Sequence, residues 1–263
     1  MTRGGKPDAW SICRRLGVGD QRRVEIESKR RVVPDEAKDL RKFLLKLKRA
    51  RHEGTLSFFD QFLDTKDLAL LRKGASLRLR YKGGGARVYL QYKGPGFHQG
   101  GLLYRSEFSS GRLERIVREE SRHDVVHFSE TAIRDILERH VEPEMSYAIE
   151  RQLGRGVAGR ITAGPIICLY EKDKFRVDLG KGSLEPSLDH LFAFRIGSRA
   201  PHPLSTFWEY ENEVKAENGD LEAKLERLDE LLKFDGRLSR EFDLKVERLD
   251  KYHRCASCFE PLD

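Results

Sequence analysis

Apolar and polar residues alternate in short segments along much of the chain, which is the period-two pattern of a half-buried β-strand. In the first segment, Val24 and Ile26 fall on one side, while Glu25 and Glu27 fall on the other. Three glycines at positions 83–85 suit a hairpin loop between two later segments. The alternation predicts strands over residues 22–32, 55–63, 76–81, 87–93, 102–109, 166–170, 175–179, 187–195 and 207–215.

Apolar residues at helical spacing interrupt these strands. Pro34 begins one helix, residues 112–153 form a largely helical middle region, and two amphipathic helices follow the last strand. The apolar positions in these helices are Leu40, Phe43, Leu44 and Leu47; Ala132, Ile133, Ile136 and Leu137; Leu221, Leu225, Leu228 and Leu232; and Leu238, Phe242, Val246 and Leu249.

A parallel α/β sheet is one way to combine these elements. Two features oppose it, because the strands are not continuous apolar runs and they cluster in two groups instead of alternating strictly with helices. The pattern therefore favours an α+β fold with an antiparallel β-barrel.

Charged residues repeat on one face of strand after strand. They are Glu25, Glu27 and Lys29; Arg78 and Arg80; Lys93 with Gln91; Arg105 and Glu107; and Glu209, Glu211 and Glu213. One strand of this kind usually turns its charges to water. The amphipathic helices need the apolar faces to pack against, however, so a closed sheet would gather all the charged faces in one lumen.

A lumen with both signs of charge suits two ligands bound together, a phosphate-containing anion and a metal ion. Lysine and arginine complement phosphate oxygens, and arginine can bind them bidentately. Carboxylates are hard oxygen ligands for Mg²⁺ or Mn²⁺, which in turn bridge phosphates. The formal net charge of +7 also favours a polyanionic partner, whether nucleic acid, anionic lipid or a phosphorylated small molecule.

Composition and boundaries add further expectations. No segment approaches the ~18 apolar residues of a membrane-spanning helix, and four scattered cysteines are typical of the reducing cytoplasm. We expect a flexible basic leader over residues 1–20, a single domain over 21–250 and an exposed tail over 251–263. Within that tail, His253, Cys255 and Cys258 lack the second ligand pair of a structural zinc site.

Residues 25–29, Glu-Ile-Glu-Ser-Lys, resemble the Glu-x-Glu-x-Lys signature of the CYTH superfamily, the triphosphate tunnel metalloenzymes. Further similar segments follow in the expected order through about residue 215. They are Phe58-Phe59-Asp60, Ser76-Leu77-Arg78-Leu79-Arg80, Tyr92-Lys93-Gly94-Pro95-Gly96, Arg105-Ser106-Glu107, Leu188-Asp189 and Phe207-Trp208-Glu209-Tyr210-Glu211. The resemblance implies an eight-stranded antiparallel tunnel with helices outside and metal-dependent chemistry on triphosphates.

The resemblance also implies roles for individual residues. The metal ligands would be Glu25, Glu27, Glu107, Asp189, Glu209 and Glu211. The phosphate-binding cations would be Lys29, Arg78, Arg80, Lys93 and Arg105. A further phosphate-binding position falls on Lys172 or on Arg176, and the catalytic set is Glu25, Glu27 and Lys29.

These features predict a triphosphatase that uses Mg²⁺ or Mn²⁺ to hydrolyse inorganic triphosphate or a small organic triphosphate. The spacing Tyr170-x-Lys172-x-x-Phe175 also resembles the polyphosphate polymerase (VTC-type) branch, so a polymerase-like phosphotransferase is an alternative. A nucleotidyl cyclase and a non-catalytic module for polyphosphate or 5′-triphosphate RNA are others, although the intact acidic set favours catalysis.

Three features stay outside this prediction. The basic run 42–51 is expected to be the solvated face of a helix, with a nucleic-acid or membrane role as the alternative. Asp60 suits a structural turn or the site equally well. Glu213 and Lys215 share the lumen parity, with a position past the rim as the alternative.

Overall fold

The computed structural model describes residues 8–82, 87–113, 127–196 and 203–259. Its strands are β1 (Val24–Val32), β2 (Ala50–Asp64), β3 (Ser76–Lys82), β4 (Arg87–Lys93), β5 (Phe97–Gln99), β6 (Leu102–Ser109), β7 (Thr162–Asp178), β8 (Gly182–Arg195), β9 (Ser205–Ala216) and β10 (Lys245–Val246). Its α-helices are α1 (Ala9–Leu16), α2 (Pro34–Lys46), α3 (Ala69–Arg72), α4 (Glu130–His140), α5 (Pro143–Leu153), α6 (Leu221–Leu225), α7 (Leu228–Glu241) and α8 (Lys251–Ala256). Short 3₁₀ turns lie at Gln21–Arg23, Ala158–Arg160 and Glu217–Gly219.

Eight strands close into a ring in the order β1-β9-β8-β7-β2-β3-β4-β6, and every neighbouring pair is antiparallel. The ring closes where Val24–Glu27 of β1 pairs with Leu103–Ser106 of β6. The short strands β5 and β10 attach to β6 and β1. The predicted α+β fold with an eight-stranded antiparallel ring and helices outside is confirmed.

Most of the hydrophobic core lies between the ring and its helices, but one cluster lies inside the ring at one end, where Phe62 shares the inner face with Arg78 and where Leu191 and Phe207 pair across β8 and β9. Leu77 and Leu79 on the outer face of β3 pack in one cluster with Ile133 of α4 and Ile149 of α5. Separate clusters lie under α1 and α6, under α2 and α7, and under α8. Because strand side chains alternate between faces, this arrangement leaves the charged face of each strand for the interior.

The N-terminal segment differs from the predicted flexible leader. Asp8 caps helix α1 by accepting the backbone N–H of Ser11 at 2.9 Å, and Ile12 and Leu16 are buried against the outer face of β1. The spacing of these apolar residues already fits one helical face. The arginines around them made the segment look like a solvated leader, so that prediction was wrong for the described part.

The predictions for the C-terminal region need two corrections. The apolar spacing from Leu238 to Leu249 does not form a separate helix, because α7 ends at Glu241 and Lys245–Val246 instead pairs with the free edge of β1. Likewise, Lys251–Ala256 of the expected tail forms helix α8, in which Tyr252 and Cys255 are fully buried. In the middle region, residues 130–140 and 143–153 are helical as predicted, while 114–126 lie outside the described residues.

Helix α8 docks across one end of the ring. The ring of Tyr252 stacks on Phe62 at a centroid distance of 4.6 Å, and its hydroxyl donates to Asp64 at 2.9 Å. Asp250 caps the helix by accepting the backbone N–H of His253 at 2.9 Å. In the part of the chain that the structure describes, no helix has the length and apolar character needed to cross a bilayer.

His253 joins α8 to the outside of the ring through both of its ring nitrogens. Its Nδ1 lies 2.6 Å from Asp250, and its Nε2 lies 2.7 Å from the carbonyl oxygen of Leu71. Because both partners are acceptors, the ring satisfies both only as the imidazolium. Burial disfavours that charge, but the hydrogen bond and the charge of Asp250 outweigh burial and raise the pKa of His253.

We expect His253→Gln to lower the free energy of unfolding by about 1.5–3 kcal/mol at acidic pH, the usual contribution of hydrogen bonds to a charged group. A raised pKa in the folded state stabilises the fold fully below the unfolded value near 6.5 and loses that effect as the pH rises through the folded pKa. The gap in thermal midpoint between wild type and variant should therefore narrow as pH rises. A gap that is equal at pH 5.5 and pH 9 would contradict this account.

Candidate functional site

The interior of the ring is a polar cavity of about 390 Å³. Its wall combines carboxylates and cations, because alternate residues of each strand point inward. Charged residues that line it are Glu25, Glu27, Lys29, Arg78, Arg80, Lys82, Lys93, Arg105, Glu107, Lys172, Lys174, Glu185, Glu211, Glu213, Lys215, Asp250 and Lys251. The cavity therefore brings together acidic and basic groups from seven of the eight ring strands and from α8.

One acidic cluster joins Glu25, Glu107 and Glu213, each of which offers a carboxylate oxygen within 4.8 Å of the others. Lys93 donates to both oxygens of Glu25 at 2.7 and 2.8 Å. Arg105 donates from Nε to Glu25 and from Nη2 to Glu27, both at 2.7 Å. Two strands that are far apart in sequence, β1 and β6, thus share a buried network of ion pairs.

The carboxyls of this network do not ionise alike. Burial opposes ionisation of Glu25, but Lys93 and Arg105 outweigh it and hold the pKa of Glu25 well below its usual range. Burial together with the nearby charges of Glu25 and Glu211 raises the pKa of Glu27, against the opposing effect of Arg105. Burial also raises the pKa of Glu213 to about 7. Carboxyls with divergent proton affinities are a common feature of sites that carry out acid–base chemistry.

A second acidic cluster joins Asp189, Glu209 and Glu211 deeper in the ring. Three ammonium groups lie against it. Lys29 is 3.1 Å from Glu209 and 3.0 Å from Glu211; Lys172 is 3.2 Å from Asp189 and 2.9 Å from Glu211; and Lys251 is 3.0, 2.9 and 2.6 Å from Asp189, Glu209 and Glu211.

Some polar atoms in this second cluster make ion pairs without well-formed hydrogen bonds. Both carboxylate oxygens of Asp189 and the ammonium nitrogen of Lys29 are buried, and none makes a hydrogen bond of good geometry to another described residue. Oxygen donors held close together and short of hydrogen bonds fit a hard divalent cation. Either acidic cluster could therefore hold a metal ion.

Asp60 lies within strand β2 and not in a turn. Its carboxylate contacts arginines of the cavity wall. It accepts from Arg78 Nη1 at 2.8 Å and from Arg80 Nε and Nη2 at 2.8 and 2.9 Å. Burial disfavours its charge, yet the two guanidinium groups lower the pKa of Asp60. Asp60 thus orients two neighbouring arginines, and Arg78 also donates to Gln91 at 2.9 and 2.5 Å.

The structure separates the two alternatives for the last phosphate-binding position. Lys172 lies in the cavity wall between Asp189 and Glu211. Arg176 pairs with Asp178 at 2.6 Å near the β7–β8 turn and does not line the cavity. Both residues have the same parity on β7, but only Lys172 lines the cavity, and Arg176 is not brought to the other predicted residues.

Several cavity residues were missed by the sequence analysis. Lys251 and Tyr252 reach the cavity from α8, a segment predicted to be a tail, and no strand parity marks them. Lys174 is also in the wall, two residues after Lys172 on the same face. Glu213 and Lys215, for which a position past the rim was the alternative, line the cavity as well, so the parity of β9 correctly indicated their orientation.

Residues 23–249 match the protein family described as the CYTH domain. The chain belongs to the CYTH domain family. Among solved structures, a candidate adenylyl cyclase from Hippeastrum with a dominant triphosphatase activity is similar, with 17% identity, a TM-score of 0.53, and coverage of 90% of this chain and 98% of that chain. A candidate adenylate cyclase from Bacillus halodurans has 18% identity, a TM-score of 0.48, and coverage of 88% and 96%.

The triphosphatase of the Mimivirus capping enzyme shares 10% identity, with a TM-score of 0.40 and coverage of 84% of this chain and 94% of that chain. At these identities the similarity concerns the fold alone. No curated protein sequence matches the chain. Membership of the CYTH family, together with the charged ring, supports a triphosphate tunnel as the general function.

We expect Lys251→Met to lower the thermal midpoint in EDTA, because it leaves the second acidic cluster with Lys29, Lys172 and Arg254, which lies 3.3 Å from Glu209. Removing one partner from buried ion pairs costs about 3–5 kcal/mol. A divalent cation can replace the lost charge, so Mg²⁺ or Mn²⁺ should raise the midpoint of the variant more than that of wild type.

The control for this prediction is Lys233→Met, which removes an exposed lysine from α7 on the outside of the ring. Its midpoint should follow wild type with and without metal. Equal metal-induced shifts in wild type and Lys251→Met would show that the ammonium group does not occupy a cation position.

Proposed function

We propose that this CYTH protein hydrolyses inorganic triphosphate, or a small organic triphosphate, with Mg²⁺ or Mn²⁺ bound in the tunnel. The observation that carries the proposal is the pairing of two acidic clusters with a row of cations at one cavity, which the first cluster lines and to which Glu211 connects the buried Asp189 and Glu209 of the second. Phosphoryl transfer depends mostly on positioning and on neutralising charge, and this cavity offers groups for both.

The cations would hold the phosphate oxygens. Arg78, Arg80 and Arg105 present guanidinium groups that can bind phosphate bidentately, while Lys93 and Lys172 add point charges. All five now pair with carboxylates or with Gln91. These pairings keep the arginine side chains oriented before the substrate arrives. A bound triphosphate would then replace part of them.

The acidic clusters would hold the metal. Glu25, Glu107 and Glu213 form one set of oxygen donors, and Asp189, Glu209 and Glu211 form the other. When bound there, Mg²⁺ or Mn²⁺ supplies Lewis-acid polarisation of the phosphoryl oxygens. In both clusters the side-chain cations stand in for that charge when no metal is bound.

Glu27 is the residue to which we assign proton transfer. Its pKa is raised, whereas that of Glu25 is held low, so Glu27 is the better proton acceptor of the two. In the step, the oxygen of water attacks the terminal phosphorus while its proton passes to Glu27. The bridging P–O bond breaks, and orthophosphate and diphosphate result. Lys29, fixed between Glu209 and Glu211, lies on the same strand face and offers a positive charge to the product.

The closed end of the ring favours hydrolysis over chain synthesis. A polymerase that feeds a growing polyphosphate through the ring needs two openings, but α8 seals one of them with Lys251 and Tyr252. The acidic clusters in turn favour catalysis over passive binding, because a module that only binds polyanions has no use for paired carboxylates among its cations.

One assay tests the function directly. The purified full chain is incubated with Mg²⁺ or Mn²⁺ and with tripolyphosphate, ATP, thiamine triphosphate or long-chain polyphosphate in turn. Orthophosphate, cyclic nucleotide and polyphosphate chain length are then measured. Release of orthophosphate supports the proposal. Chain growth from ATP would establish the polymerase, a cyclic product the cyclase, and binding without any product the non-catalytic module.

We expect Glu27→Gln to reduce kcat at least about hundredfold, the usual contribution of a positioned proton acceptor. The amide keeps the shape of the side chain and its contact with Arg105 but cannot take a proton. The thermal midpoint should stay near that of wild type, which separates this result from misfolding. Full activity in a folded variant would remove Glu27 from the mechanism.

We expect Arg78→Ala to weaken substrate binding, with KM for tripolyphosphate rising roughly tenfold or more from the loss of charge-assisted hydrogen bonds. The fold should persist because Asp60 keeps two hydrogen bonds from Arg80. Arg78→Lys is the matched control, since it retains the charge without the guanidinium fork and should fall between wild type and alanine. An unchanged KM and kcat in the alanine variant would contradict a role in binding.

A further inference from the structure

A groove of about 1000 Å³ lies on the outside of the ring, between α7 and the end of α2. Its base is apolar, because Val177 of β7 and Leu184 of β8, which pair with each other, are both buried there. Leu47, Leu179 and Phe234 line the groove as well and are half-buried. Among the described residues, none lines both this groove and the tunnel, so the ligand of the groove is a separate question from the substrate of the tunnel.

Positive charge surrounds this apolar base. The cations are Lys46, Lys48 and Arg49 on the α2 side and Arg227, Lys233 and Arg237 on the α7 side. Two glutamates oppose them, since Glu226 lies 3.8 Å from Arg227 and Glu230 lies 3.7 Å from Lys233. The three cations on the α2 side have no carboxylate within ion-pair distance in the described part of the chain. The groove therefore carries positive charge that its own carboxylates do not balance.

The α7 side of the groove is one face of a helix. Arg227, Glu230, Phe234 and Arg237 follow one another at intervals of three or four residues, so they lie in a row along the helix. This row extends over about three turns, or roughly 15 Å. That length accommodates the anchoring side chains that an amphipathic helix presents at positions i, i+4 and i+7. Apolar patches with polar edges are also typical of sites where one protein binds another.

The combination of apolar base and basic edges distinguishes between classes of anionic partner. The phosphates of a nucleic acid would pair with the cations but would leave the apolar base unfilled. A flat bilayer surface would meet the cations at the edges, whereas the base lies between two helices and below that surface. A helix with an apolar stripe and acidic flanks satisfies both parts of the groove. We infer that the groove binds an acidic amphipathic helix of another protein.

The basic run 42–51 gains a specific role from this arrangement. Its members Lys46, Lys48 and Arg49 come at the end of α2 and in the turn before β2, where they form one edge of the groove. Carboxylates on one flank of the bound helix would pair with this edge, and those on the other flank with Lys233 and Arg237. The apolar stripe between the flanks would then lie on Phe234 and Leu184.

The probe for this site is a fluorescein-labelled helical peptide with leucines at alternating intervals of three and four residues and glutamates on both flanks. A matched peptide has lysines in place of the glutamates. Dissociation constants for the full chain are measured by fluorescence anisotropy. We expect wild type to bind the acidic peptide at least about tenfold more tightly than the basic one. That preference should decrease as salt is added, because charges at the edge of an interface are screened.

Three variants locate the bound peptide. Lys46→Glu and Arg237→Glu reverse one charge on each side of the groove, and each should weaken binding of the acidic peptide about tenfold while it strengthens binding of the basic one. Phe234→Ala should weaken binding of the acidic peptide about tenfold, because aromatic anchors contribute most to such interfaces. A misfolded variant would lose both peptides, so the exchange of preference identifies the charge. If Phe234→Ala does not fold, the two charge reversals still decide the outcome.

The matched control is Lys38→Glu, which reverses an exposed lysine of α2 that does not line the groove and should bind both peptides like wild type. Vesicles that contain phosphatidylglycerol and a single-stranded oligonucleotide represent the other anionic partners. Failure of wild type to bind the acidic peptide, or equal effects of Lys38→Glu and Lys46→Glu, would overturn the inference. So would binding of vesicles or oligonucleotide that Lys46→Glu abolishes while the affinity for the acidic peptide stays unchanged.

Discussion

The structure depends on one constraint, which is that carboxylates buried inside a closed ring of strands must be neutralised there. Transferring an unpaired ion from water into a protein interior costs several kcal/mol, so each carboxylate needs a cation from another strand. Glu25 meets that need through Lys93 and Arg105, and Asp60 through Arg78 and Arg80. Because these partners come from different strands, the ion pairs tie the ring across its interior. Most of the apolar side chains are left on the outside, where the helices are required to cover them.

The same constraint explains the importance of the C-terminal helix. Lys251 places an ammonium group among Asp189, Glu209 and Glu211, and Tyr252 stacks on Phe62 directly beside it. Helix α8 therefore completes both the charge balance and the wall of the cavity. Docking of α8 thus supplies one of the cations that balance the second acidic cluster, and the imidazole of His253 adds a pH-dependent contact at the same place.

Much of the ring could be predicted from the sequence because the period of a strand is fixed. In each strand the alternation of apolar and charged residues indicates which side chains share a face, and in this way Arg78, Arg105 and Glu211 were each assigned to the charged face of their own strand. Pairings between distant strands leave no such local trace, so the closure of β1 on β6 and the choice between Lys172 and Arg176 needed the structure. Lys251 could not be found because a short helix capped by Asp250 has too few residues to show a periodic pattern.

The charge balance also affects which ligands the cavity can bind. In each acidic cluster the carboxylates already face side-chain cations, so a divalent ion alone would add uncompensated positive charge and would have to displace a lysine or an arginine. A triphosphate alone would add uncompensated negative charge beside the carboxylates. Together the two compensate each other, and the displaced cations can turn from carboxylate to phosphate within the same wall. A wall whose carboxylates already pair with cations would therefore favour a metal-bound polyphosphate over either component alone.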